Sequence, residues 1–188
     1  MPSLHILIAT AGRSTLQRMV DSIVPFLTDN DHLTIVFDGV APSQINVESK
    51  GTVHIHHEPV ALGFWGHGIR NKYAHLLEKT DFVMHADDDD EYAPGAFDAV
   101  RSMCTDTSTL YIMKQKRVLG ERVEIIPRKP EIENGNISTQ CGIIPYELNK
   151  KGEWGPFYGG DWAFYDSIQY FAPLVFLDHI LYLYNCPW

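Results

Sequence analysis

Four consecutive aspartates, Asp87 to Asp90, stand directly after the apolar run Asp81-Phe-Val-Met-His-Ala86. Like charges at that density repel unless a cation is shared among them, and carboxylate oxygens suit hard divalent ions. A solvated acidic turn would contain the same residues, since charge runs are commonly exposed. Position favours a site, because in α/β sheets ligands bind outside the carboxyl ends of strands. The histidines make a poorer case. His54 and His56 share a strand face and precede His57-Glu58, but alternation turns His57 to the other side, so an ordinary strand is expected there.

The elements that must hold these aspartates follow from the apolar pattern. Leu4-His-Ile-Leu-Ile-Ala9, bounded by Thr10-Ala-Gly-Arg13, reads as a strand buried on both faces. Ser14 precedes Gln17 at capping-box spacing, and Leu16, Met19, Val20, Ile23 and Leu27 recur at helical intervals, which predicts a helix running past Pro25. Leu33 to Phe37 and Val53 to His56 read as strands ending at Asp38-Gly39 and near Pro59. Gly63, Gly66 and Gly68 loosen a loop before a helix marked by Ile69, Tyr73, Leu76 and Leu77, and Asp81 to Ala86 is the fourth strand. The second half is less regular. Leu110 to Lys116, Arg117 to Ile126 and Val175 to Tyr184 read as strands and Phe164 to Phe171 as a helix, with turn formers from Pro127 to Gly152. This alternation predicts an α/β fold with a mostly parallel open sheet and helices on its faces. One domain spanning 1–188 is expected at this length.

A net charge of −9 argues against a nucleic-acid partner, which needs a basic face. Binding phosphate would then require a divalent cation or a local cluster of arginines and backbone N–H groups. No apolar run approaches the roughly 20 residues of a membrane span. The first residues lack a signal-peptide pattern, and Cys104, Cys141 and Cys186 form no paired framework, so free thiols in a reducing cytoplasm are expected. Asn136-Ile-Ser138 matches a glycosylation acceptor, a common tripeptide that is expected to be chance here.

The string His85-Ala-Asp-Asp-Asp-Asp-Glu-Tyr-Ala-Pro94-Gly-Ala-Phe97 resembles the D-x-D segment of glycosyltransferases with the GT-A fold, in particular the large inverting family 2. In that family an aspartate-rich turn is followed by three residues, proline and a helix, which makes Asp87 and Asp89 the D-x-D pair. Three further segments agree in order. Thr10 to Arg13 is similar to the family's nucleotide-binding start, and Phe37-Asp38-Gly39 to its second-strand aspartate, which contacts the base or ribose. Leu62-Gly63 through Ile69-Arg70-Asn71-Lys72 is similar to its glycine-containing stretch ending in Arg-Asn. Gly159-Gly160-Asp161-Trp162 resembles the segment whose aspartate is the catalytic base, with Gly160 replacing the usual glutamate. The small size and tryptophan-bearing glycine loop are also similar to compact glycosyltransferases of large algal viruses, which would place the chain in a host cytoplasm.

The resemblance implies a GT-A (Rossmann-like) three-layer fold with residues 1–100 as the nucleotide-sugar half and 101–188 as the acceptor half. It implies a UDP-sugar donor contacted by Thr10, Ala11, Arg13, Asp38, Gly63, Arg70, Asn71, Asp87 and Asp88. Manganese or magnesium would bind Asp89 with Asp87, and His179, near the C-terminus, would join them. Asp161 would be the general base for inverting transfer to the hydroxyl of a glycan or other acceptor, with Tyr158 and Trp162 against that acceptor. The competing reading is a non-catalytic, cation-dependent carbohydrate- or nucleotide-binding module, which leaves Asp161 without a role. A nucleotidyltransferase would need a glycine-rich, lysine-bearing loop after the first strand, and Ala9-Thr-Ala-Gly-Arg13 lacks it. A phosphatase would carry its aspartates at the first strand, and no P-loop or G-x-S-x-G is present.

Overall fold

The strand β1 (Leu4–Thr10) is buried along its whole length. Leu4, Ile6 and Ile8 face one apolar cluster while Leu7 and Ala9 face another, so β1 must lie inside a sheet covered on both sides. The structure, a computed structural model, describes residues 1–184; Cys186 lies outside them. β2 (His32–Asp38) and β4 (Phe82–Asp87) flank β1 in parallel, and β3 (Thr52–Glu58) pairs in parallel with β2. Their carboxyl ends therefore line up along one edge.

Helices α1 (Leu16–Asp21) and α3 (Ala96–Met103) cover the Leu4 face, and α2 (His67–Tyr73) covers the Leu7 face. α1 is shorter than its apolar spacing predicts. Thr15, not Ser14, stands at its cap and makes no side-chain cap, and Pro25 sits in a separate 3-10 turn, Val24–Phe26. Proline has no N–H to continue the helical ladder.

Beyond α3 the sheet becomes mixed. β8 (Gly142–Pro145) bridges β4 to β6 (Leu110–Leu119) in short antiparallel pairings. β9 (Leu174–Tyr184) runs parallel to β6, and β5 (Glu91–Tyr92) closes the far side. β7 (Arg122–Ile126) folds back on β6, which continues through Arg117 to Leu119 and does not break at Lys116 as expected. α4 (Tyr146–Asn149) and α5 (Gly160–Ile168) lie in this half, and α5 buries Phe164, Tyr165 and Ile168 against Leu110, Ile112 and Ile144. The long ladders are parallel, so the fold is a three-layer α/β arrangement around one large, mostly parallel sheet. Among the described residues no helix is long and apolar enough to cross a membrane. Cys104 and Cys141 are buried free thiols. Asn136 is buried and bonded to the backbone of Arg128, Lys129 and Glu131, a structural role for the tripeptide.

Two buried histidines make this core sensitive to acid. His5 pairs with the Glu78 carbonyl and Thr34 Oγ1, and burial pulls its pKa down to about 4. His85 pairs with Asn149 Oδ1, and burial, reinforced by the charge of Arg70, pulls it down to about 3. Both are neutral when folded but take up protons when unfolded near the ordinary pKa of 6.5. Stability is therefore present above that value and lost as pH falls below it, at about 1.4 kcal/mol per pH unit for each ring. Between pH 6.5 and pH 4.5 the two together are expected to remove about 5 kcal/mol. Urea midpoints at pH 7 and pH 4.5 check this, and an unchanged midpoint would contradict it.

Candidate functional site

Because β1 and β4 are adjacent and parallel, the turn after β1 meets the aspartate run after β4. The four carboxylates then part company. Asp88 is buried and accepts from Thr10 Oγ1 (2.5 Å), the Ala11 N–H (3.1 Å) and Arg13 Nη1 (2.7 Å). Asp87 accepts from Arg70 Nη2 on one oxygen and Gln140 Nε2 on the other. Asp89 is partly exposed and accepts from Arg13 Nη1 at 2.9 Å, while Arg18 donates to its carbonyl at 2.5 Å. Burial, then the charge of Asp87, raises the Asp89 pKa against the pull of Arg13, so this carboxylate gains by meeting a cation. Asp90 is buried on the Tyr182 side, where its charge helps hold that phenol protonated.

Asp89, with the lone pairs of Asp87 left over by its two donors, is the donor set available to a metal. Among the described residues no three His, Cys, Asp or Glu side chains converge. That fits magnesium or manganese, which bind one or two carboxylates and complete their shell with phosphate oxygens and water. It does not fit an all-protein cage. His179 is not part of the set. The β5–β9 register places Glu91 opposite Leu183, four residues beyond His179, or roughly 13 Å along the strand, so β9 does not bring His179 to the end of β5 that adjoins the aspartate run.

Helix α2 is the hub of the site. Arg70 is fully buried, with Nη1 donating to the Trp65 carbonyl (2.9 Å) and Nη2 to Ala86 O (3.1 Å) as well as to Asp87. Asn71 exchanges two bonds with the Trp154 backbone, at 2.9 and 2.8 Å, and His67 Nδ1 pairs with the Gly155 carbonyl at 2.8 Å. Arg70, expected to touch the nucleotide sugar, is buried with its donors engaged by protein groups, and half-buried Asn71 is bonded to the Trp154 backbone. One grips the aspartate turn at Asp87 and the other anchors the loop leading to Asp161. Asp38 likewise accepts the N–H groups of Leu62 (2.6 Å) and Gly63 (2.9 Å), which ties the glycine loop to the end of β2. A carboxylate has about four lone-pair positions, so Asp38 keeps capacity for a ligand.

Asp161 lies in the first turn of α5, which starts at Gly160, earlier than expected, because Gly159 turns the chain with φ 91°. Its pKa is raised chiefly by burial and also by the charge of Asp87, while the Trp162 N–H, Arg117 and Arg70 pull the other way. The charge of Asp87 thus reaches Asp161. Trp162 packs onto the apolar cluster beneath α5, so of the two aromatic acceptor candidates Tyr158 is the one displayed to solvent. The glycine at position 160 has a steric cause: a Cβ there would lie 2.1 Å from the Gly155 carbonyl and 2.6 Å from His67 Nδ1. Gly160→Ala is expected to cost about 3 kcal/mol, as overpacking against backbone does, and a urea midpoint equal to wild type would refute that packing. Sequence reasoning missed Gln140 and Arg117, which come from segments without a local motif, and His67, which lies within the Gly63 to Arg70 stretch but matches none of its singled-out residues.

No family model matches the chain, and no curated protein matches it. Solved structures do, and they define its class: a GT-A-type fold. TarS residues 1–349 from S. aureus shares 17% identity at a TM-score of 0.77, covering 97% of this chain and 60% of that one. A mannosyltransferase from Pyrobaculum calidifontis, solved with GDP-Man and Mn2+, shares 12% at 0.68, covering 99% and 57%. GalNAc-T7, solved with UDP, GalNAc and Mn2+, shares 14% at 0.65, covering 97% and 44%. The chain thus spans 60% or less of the length of these three neighbours.

Proposed function

We propose that this chain is a metal-dependent glycosyltransferase that moves a sugar from a UDP-sugar to an acceptor hydroxyl with inversion. The observation that carries the proposal is that helix α2 ties the two parts of the site together: Arg70 grips Asp87, while His67 bonds the Gly155 carbonyl and lies against Gly160, the residue before Asp161. The neighbours solved with UDP, UDP-GlcNAc or GDP-Man add support, since nucleotide sugars are the ligands of that fold in those proteins. Residues 1–100 form the donor half and 101–188 the acceptor half of a single domain.

Asp89 and Asp87 are the residues that would hold manganese or magnesium, which would supply positive charge for a departing diphosphate. Arg13, half exposed and resting on Asp88 and Asp89, offers its remaining N–H groups to the same phosphates. Thr10, Ala11 and Asp88 set the shape of the turn beneath the nucleotide, and Asp38 with Gly63 borders the base and ribose. Asp161 accepts the proton of the acceptor hydroxyl as its oxygen attacks the anomeric carbon opposite the leaving group. Burial of Asp161 raises its pKa and with it its basicity, while Arg117 and Arg70 pull the other way. Arg70 and Gln140 hold Asp87 in place, and Tyr158 lies on the acceptor side.

Calorimetric titration with UDP, with and without manganese, tests the donor site. UDP is expected to bind at least tenfold more tightly with manganese, and Asp89→Ala to abolish that gain. If manganese changes nothing, or Asp89→Ala keeps the gain, the D-x-D assignment fails and the binding-module reading replaces it.

A further inference from the structure

Four large aromatic side chains stand open: Phe157 and Tyr158, a few residues before Asp161 in the chain, and Phe64 and Trp65, of which Trp65 meets Tyr158. Trp65 is 65% exposed and Tyr158 87%, and their rings meet edge to face with centroids 6.0 Å apart and planes at 79°. Exposed aromatic surface of this extent marks a binding site more often than an idle surface.

The backbone accepts strain to display them. Gly63, Phe64, Trp65 and Gly66 have φ of 69°, 55°, 54° and 83°, a left-handed turn in which two members are not glycine. Such residues cost about 1 kcal/mol or more each, and they persist where surrounding structure enforces them. Here it does. Gly66 lies so close to β1 that a Cβ would sit 2.6 Å from the Ala9 Cβ, and Arg70 Nη1 takes the Trp65 carbonyl at 2.9 Å. On the opposite wall, Asn71 and His67 pin the chain at Trp154 and Gly155, and two residues, Gly159 and Gly160, separate Tyr158 from Asp161. The guanidinium that holds Asp87 thus also fixes Trp65, and the helix that carries it fixes the loop of Tyr158 and Asp161.

The chemistry of this corner selects its occupant. Trp65 has Tyr158 and His67 as its ring neighbours, and burial lowers the His67 pKa, so a neutral imidazole stands there. An uncharged ligand with an apolar face and a polar rim suits it. A pyranose ring has that form: its C–H face lies on the negative π-face of an aromatic ring while its hydroxyl edge stays hydrated. We propose that Trp65 and Tyr158 form a stacking subsite for a pyranose ring of the acceptor, which makes the acceptor a carbohydrate. The acceptor role rests on the transferase reading; the stacking subsite does not.

The test is binding without turnover. Methyl glycosides of glucose, galactose, mannose, xylose, rhamnose and N-acetylglucosamine are titrated against the UDP–manganese complex, read by saturation-transfer NMR and tryptophan fluorescence. At least one is expected to bind with saturation concentrated on its ring C–H protons. Trp65→Ala and Tyr158→Ala should each weaken it at least tenfold, Tyr158→Phe should keep it, and UDP affinity should stay within twofold. The subsite is refuted if no glycoside binds the wild type, or if the alanine variants bind as well as it does. It is also refuted if Trp65→Ala weakens UDP instead, which would assign the ring to the nucleotide. A chain that binds glycosides but never UDP keeps the subsite and sinks the transferase reading, and one that binds UDP with manganese but no glycoside does the reverse.

Discussion

Asp161→Asn is expected to lower turnover by about three orders of magnitude, the central value for loss of a positioned general base, while leaving manganese-dependent UDP affinity within about twofold. The substitution keeps the shape of the side chain and its bond from the Trp162 N–H, which lies 2.8 Å from Oδ1. It removes only the ability to accept a proton. A loss of that size is about 4 kcal/mol in the barrier, and the rest of the site has no means of recovering it. The other carboxylates are engaged elsewhere: Asp87 by Arg70 and Gln140, Asp88 by Thr10 and Arg13. Folding should not suffer, because burial and the charge of Asp87 already disfavour an ionised Asp161, and an amide removes that penalty. Turnover and the urea midpoint are measured on the same preparation. A variant within tenfold of wild-type turnover would show that Asp161 is not the base; a variant that loses UDP binding and its folding transition together would show that Asp161 is structural.

The residues that could be read from sequence are those whose cause is local. β1 and β4 are apolar runs that end in turn or acidic residues, so their identity and the position of Asp87 to Asp90 at a strand end needed no tertiary information. The division of labour within the run was not readable. Asp88 is buried because Thr10 and Arg13 arrive from the neighbouring strand, and Asp87 is held by Gln140 from a turn-rich stretch without periodicity. Helix α2 shows the same limit. The pair Arg70-Asn71 was located correctly, but whether such residues face a ligand or the interior depends on what packs over them, and here Trp154 and Gly155 do. β8 escaped notice because it has four residues and ends in Pro145, though it joins the two parts of the sheet. The place of His179 relative to the aspartate run was equally unreadable. Nearness to the C-terminus is not nearness to Asp89, and the pairing register of β9 decides between them.

Removing the Arg70 guanidinium should be the most destabilising single change at this site. Arg70→Met retains much of the side-chain volume and its packing against the Trp154 ring, over which the Arg70 guanidinium carbon lies 5.2 Å from the centroid. It strips the donors from Trp65 O and Ala86 O and the cation from Asp87, which then keeps only the Gln140 amide and the Tyr182 hydroxyl side of the turn nearby. Breaking a fully buried pair by removing one partner costs about 3 to 5 kcal/mol, and the loss here should lie at the lower end, about 3 kcal/mol, because the Asp87 side chain left behind is 30% exposed and partly hydrated. The left-handed turn at Phe64 and Trp65 also loses the bond that holds it. Arg70→Lys should recover only part of the loss, since a single ammonium cannot span a carboxylate and two carbonyls as a planar fork does. The double variant Arg70→Met with Asp87→Asn separates the two contributions: neutralising Asp87 should return about half of the stability, but neither metal-dependent UDP binding nor the Trp65 display. Urea denaturation of the four proteins measures the coupling. If Arg70→Met costs less than 1 kcal/mol, the D-x-D turn is held by the strand ends alone, and α2 is a neighbour of the site, not its support.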